Sequence, residues 1–118
     1  MDGTVETGTG FIEPLYPDGH QGIPNWSEEE VTEITRKANA KKLTMHIHTM
    51  GNMAVNRAVN AYVNGGKNEL RNTPVHIYGV NQPDYKRMAE NNIYVTSGML
   101  RHAADDDLQA DLLKKLPA

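Results

Sequence analysis

His46 and His48 stand two apart in M-H-I-H-T, and His76 lies in P-V-H-I-Y. In an extended stretch, residues two apart put both side chains on one face, and His48 falls at the carboxyl end, where the chain turns into T-M-G. Parallel α/β folds place their chemistry at that end of the strands. If a neighbouring parallel strand brings His76 to the same rim, the imidazoles of His48 and His76 can share a divalent metal. Each would then have its other ring nitrogen fixed by an acceptor. Catalytic zinc ordinarily takes three protein ligands and keeps an open position for water, so two histidines do not complete such a site. The plainer alternative is a strand histidine that is simply hydrogen-bonded in the core or at the rim, and for His46 alone that reading leads. For His48 and His76 together, spacing leaves both readings open. His20 and His102 lie in loop-like sequence. The carboxylate runs at 28–30 and 105–107 suit helix N-termini rather than acid/base pairs.

The elements that must position these residues alternate. Residues 1–26 are rich in Gly, Pro, Thr and Asp and show no useful periodicity, so they read as a long loop. Loops of that length tend to be lids or to belong against something else. Ser27 followed by three glutamates predicts a capping box and a helix start, with Val31, Ile34 and Ala38 as its apolar stripe. Leu43 to His48 alternates as a strand, with Leu43, Met45 and Ile47 on one face. A second helix is expected over 53–63, a strand over 75–80, a helix over 82–90 and a strand over 93–97. A last helix follows, carrying Leu108, Leu112 and Leu113. This order predicts βα units with parallel strands over 27–118, in a single partial domain spanning 1–118.

The bulk properties exclude several classes. A length of 118 residues is well short of the roughly 250 that a closed (β/α)8 barrel uses. A net charge of -3 with scattered Lys and Arg argues against nucleic-acid binding. No apolar run reaches the length of a membrane span, and the chain opens without a secretory pattern, so a cytoplasmic location is expected. The absence of cysteine removes disulfides, thiolate metal sites and Cys nucleophiles, leaving imidazole, carboxylate and carbamate as metal ligands.

The stretches D-G-T-V-E-T-G-T-G-F-I-E-P-L-Y at 2–16 and M-H-I-H-T-M-G-N-M-A-V at 45–55 resemble amidohydrolase family 3. This is a branch of the amidohydrolase superfamily that includes enzymes similar to N-substituted formamide deformylases. The resemblance continues through W-S-E-E-E, V-H-I-Y-G-V-N-Q-P-D and L-R-H-A-A-D-D in the same order. It implies an α/β fold that is part of a TIM barrel, roughly from the exit of the fourth strand through the seventh. It also implies a metal centre, with zinc the expected cofactor, activating water to hydrolyse an amide or similar C-N bond of a small molecule. By motif, His48 resembles the fifth-strand ligand and His76 the sixth-strand ligand. His46 would be the inward neighbour, and His102 and Asp105 match a substrate-side loop.

The sequence also departs from the family pattern. Asn52 replaces an Asp, Met53 an Arg, and Val75 a Glu, which depletes the charge that would orient the imidazoles. The first-strand histidine pair, the bridging ligand and the eighth-strand Asp have no counterpart, and no residue is assigned as catalytic. The expectation is therefore a fragment of a longer hydrolase that is a poor catalyst alone. The alternatives are a non-catalytic half-barrel module that covers its sheet edges by forming a homo-oligomer, or a simple two-histidine metal binder.

Overall fold

The computed structural model describes residues 1–98 and Lys114. Helix α1 spans Glu28–Ala40, strand β1 His46–Thr49, helix α2 Asn52–Gly65, strand β2 Thr73–His76 and helix α3 Gln82–Glu90, with a 3-10 turn at Asn68–Leu70 before β2. The two strands pair in parallel, His46 opposite Thr73 and Thr49 opposite His76, with α2 as the crossover between them. Thr96 adds one parallel bridge to Val75.

The start of α1 follows its sequence signal. The Ser27 side chain accepts the Glu30 N–H at 3.2 Å, and the Glu30 carboxylate accepts the Ser27 N–H at 2.8 Å. Helix α2 supplies most of the core. Ala54, Val55, Ala58, Val59, Ala61 and Tyr62 are all buried, and α2 packs on both strands and on the other two helices. Such close approach needs small residues at the contact. The buried Tyr62 hydroxyl donates to the Thr73 carbonyl at 3.1 Å, tying α2 to the first residue of β2. Burial pushes its pKa well above the ordinary tyrosine value.

Several elements differ from the periodicity. The first strand begins at His46 rather than Leu43, because the α1 exit takes Lys42 into the left-handed region (φ 60°) and ties Leu43 N–H to the Ala38 carbonyl. Leu43 is consequently exposed instead of sharing a buried face with Met45 and Ile47. The second strand runs over 73–76, not 75–80, since His76 and Ile77 (φ 78° and 46°) leave the extended region. The stretch 93–97 contributes the Thr96 bridge in place of a full strand. Helix α2 extends one residue earlier and two later than expected. The expected last helix lies outside the described residues, apart from helical Lys114.

Residues 1–26 contain neither helix nor strand, yet they are packed. Phe11 joins the main core, and Val5, Ile12 and Tyr16 form a small apolar cluster of their own.

Candidate metal centre

His48 and His76 come together. Their ring centroids are 4.8 Å apart in an edge-to-face arrangement, with an interplanar angle of 69°. Strand register alone would not have produced this. His76 pairs with Thr49, whose side chain alternates to the face opposite His48, so a regular pleat would have separated the rings. The left-handed φ of 78° takes His76 out of that alternation at the strand's last residue, and its ring lies against His48. A non-glycine residue rarely adopts this conformation, which recurs at functional sites.

The third member is Asp2, which periodicity could not identify. Its side chain is fully buried, and one carboxylate oxygen lies 3.4 Å from Nδ1 of His48. The same carboxylate accepts backbone N–H groups from Phe11 at 2.9 Å, Met50 at 3.0 Å and Gly51 at 2.8 Å. Three backbone donors satisfy the buried charge and fix it beside the imidazole. The turn after β1 closes tightly on the first loop. A side chain at Gly51 would put its Cβ 1.9 Å from the Phe11 carbonyl oxygen, and that oxygen also accepts the Met53 N–H. The only sequence signal for Asp2 is the D-G dipeptide that carried the family resemblance.

His46 shares the His48 face by alternation and is exposed. It lines a cavity of about 250 Å³ with Trp26, Ile34 and Met45. His102 and Asp105 lie outside the described residues. His20 belongs to a different cluster: it pairs with Asp18 through Nδ1, meets the Gly8 carbonyl through Nε2 at 2.5 Å and stacks on Tyr16. The Gly8 carbonyl first, and then Asp18, hold its pKa above the ordinary histidine value. The carboxylates of 28–30 sit in the first turn of α1, where Glu30 caps the helix and Glu28 accepts from Asn60. Among the described residues, no set of three or more His, Asp or Glu side chains is arranged to hold one metal ion.

A second cavity, of about 280 Å³, opens at the carboxyl ends of both strands. Asn52 ties its walls together. It accepts the Glu13 N–H at 3.0 Å, and its side-chain N–H group donates to the Glu13 carbonyl at 2.6 Å and to the Asn81 side-chain oxygen at 2.9 Å.

The fold of this chain occurs within larger proteins of known structure. The fold is one found in metal-dependent hydrolases. An uncharacterized metal-dependent hydrolase from Pyrococcus horikoshii OT3 matches 98% of this chain with a TM-score of 0.79 at 20% identity. One from Pyrococcus furiosus matches 81% of it with a TM-score of 0.72 at 21% identity. In sequence, the chain is similar to the exoenzymes regulatory protein AepA of Pectobacterium carotovorum subsp. carotovorum, 23% identical over 107 residues that make up 91% of this chain. The chain spans only 20% of the length of that relative and 20% and 23% of the two solved structures. No family model matches the chain. At these identities the likeness establishes the fold and leaves the chemistry to the residues.

Proposed function

We propose that this chain is part of a metal-dependent hydrolase of the amidohydrolase type, cleaving C-N bonds of small amide-like substrates. His48 and His76 would be two of its metal ligands. The observation that carries this reading is the 4.8 Å meeting of the two imidazoles at the carboxyl ends of adjacent parallel strands. The donors suit a divalent metal in kind and placement. Both are imidazoles, His76 ends β2 and His48 lies one residue before the end of β1, and His48 has a buried carboxylate facing its Nδ1, the partner that metal-binding histidines ordinarily possess. When bound, the metal, zinc by expectation, supplies Lewis-acid activation of water near neutral pH.

The chain's own residues do the positioning. Asp2 favours the tautomer with hydrogen on Nδ1 of His48, which turns the lone pair of Nε2 toward the ion. The three N–H groups on Asp2 hold that carboxylate in place, and so orient the ring. The Glu that the family carries before the second ligand is Val75 here, and Asp2 provides charge at the first ligand. The remaining ligands and the proton acceptor would come from the other parts of a longer hydrolase, in which β1 and β2 would be neighbouring strands of a TIM barrel and the Thr96 bridge would mark the place of the next. His46, His102 and Asp105 would face the substrate. A cytoplasmic location fits a small-molecule hydrolase, and no helix among the described residues is long and apolar enough to cross a membrane.

One observation favours a second reading. The β1 edge away from β2 has no strand partner among the described residues, as in a half-barrel module that covers its edge with a second copy. A defined oligomer by light scattering would support the module.

Cobalt titration tests the ligand assignment, because its visible bands report the donor set. The expectation is one bound ion, with His48→Ala and His76→Ala each weakening binding at least tenfold. Binding by either variant as tight as that of the parent would reject it.

A further inference from the structure

We propose that the 280 Å³ cavity at the carboxyl ends of β1 and β2 receives an uncharged apolar substituent of the substrate, and that Asn52 is the positioning residue that ties its walls together. The substrate assignment rests on the hydrolase reading above, whereas the cavity and the role of Asn52 stand on their own geometry.

The cavity walls come from three segments: the first loop (Val5, Ile12, Pro14), the turn after β1 (Met50) and the segment after β2 (Tyr78, Val80), with Glu13 also lining it. Its β1 wall begins two residues after His48, and its β2 wall two residues after His76. It is also linked to the pair by bonding, since the Met50 and Gly51 N–H groups hold the Asp2 carboxylate that faces His48. The volume is enough for a group of benzene size, which an engineered apolar cavity of roughly 150 Å³ accepts. The five apolar side chains favour hydrocarbon. No Lys, Arg or His lines the cavity, so nothing there offers a cationic partner to an anionic substituent.

Asn52 bridges all three segments, with an inventory that an aspartate cannot reproduce. It is the first residue of α2, accepts one bond from the first loop, and donates one to that loop and one to the segment after β2. Gly79 packs against it, with space for a Cβ only 3.3 Å from Asn52. A carboxylate accepts but cannot donate, so Asn52→Asp would set its oxygens against the Glu13 carbonyl and the Asn81 oxygen. The replacement of the family's Asp by Asn is thus explained as a change of walls rather than only a lost charge. Protonating the introduced carboxyl recovers one donor, so the defect of the variant should be relieved as pH falls through the range where that group takes up its proton.

The test is a titration of the chain with benzamide and with benzoate, followed by methyl NMR of Val5, Ile12 and Val80, with zinc titrated separately onto the His48 and His76 ring signals. Benzamide is expected to shift those methyls and benzoate to bind at least tenfold more weakly. Asn52→Asp should weaken benzamide at least tenfold at pH 7.5, with recovery at pH 4.5 that the parent does not show. Benzoate binding as tightly as benzamide, shifts confined to other residues, or an Asn52→Asp effect independent of pH would overturn the proposal. Loss of zinc binding with benzamide binding intact would count against the metal-centre reading alone.

Discussion

Replacing Asp2 with Ala removes one carboxylate and strands three buried backbone donors, on Phe11, Met50 and Gly51, all bonded between 2.8 and 3.0 Å. An unsatisfied buried donor costs about 1–3 kcal/mol, so the gross loss is about 3–9 kcal/mol. The first loop has no helix or strand of its own and can shift to let water in, which places the net loss toward the low end, about 3–5 kcal/mol. Against a typical total of about 5–15 kcal/mol, that is a large fraction of the stability of any small domain. Urea unfolding measures it directly. With a slope of about 1–3 kcal/mol per molar, the midpoint should fall by about 2 M. Asp2→Asn keeps one acceptor and should lose less, while weakening metal binding by about 10–100-fold through His48. A midpoint shift below about 0.5 M for Asp2→Ala would refute the assignment of Asp2 as the clamp between the first loop and β1.

Two further outcomes follow from the same packing. Gly51→Ala should cost about 2–3 kcal/mol or more in thermal or urea unfolding, because its Cβ would meet backbone at Phe11 rather than a yielding side chain, and an unchanged melting point would contradict the close approach. The His20 cluster should make the first loop pH-sensitive. His20 has its pKa raised in the fold, so its contribution is complete below about 6.5 and is lost as pH rises through the raised value. Asp18 is shifted down by His20, so its contribution is present above its ordinary pKa near 3.8 and lost as pH falls through the lowered value. NMR titration should place the His20 midpoint above that of an unstructured histidine, and the protection of the Gly8 amide relative to its intrinsic exchange rate should fall at alkaline pH in the parent but stay level in His20→Gln.

The parts legible in the sequence were those with a local signal. Ser27 and Glu30 announced α1 three residues apart, and the apolar spacing of Val55, Ala58, Val59 and Tyr62 announced α2. The end of β2 was misjudged because left-handed residues at 76 and 77 have no compositional mark when they are His and Ile rather than Gly or Asn. That same irregularity brings His76 to His48, so the meeting of the two rings was an expectation from motif and topology that strand register would have denied. Asp2 was invisible to periodicity, because its bonds reach 48 and 49 residues along the chain to Met50 and Gly51. Asn52 looked like a weakened site when only its lost charge was counted. Its hydrogen bonds across 39 and 29 residues explain what an amide does there.

The central claim is that the rings of His48 and His76 grip one ion. Diffraction from zinc-loaded crystals at the zinc absorption edge would test it most directly. The account predicts a single anomalous peak about 2.0–2.1 Å from a ring nitrogen of each histidine, with Asp2 still facing Nδ1 of His48. A peak held by other residues, or none between the two imidazoles at saturating zinc, would contradict it.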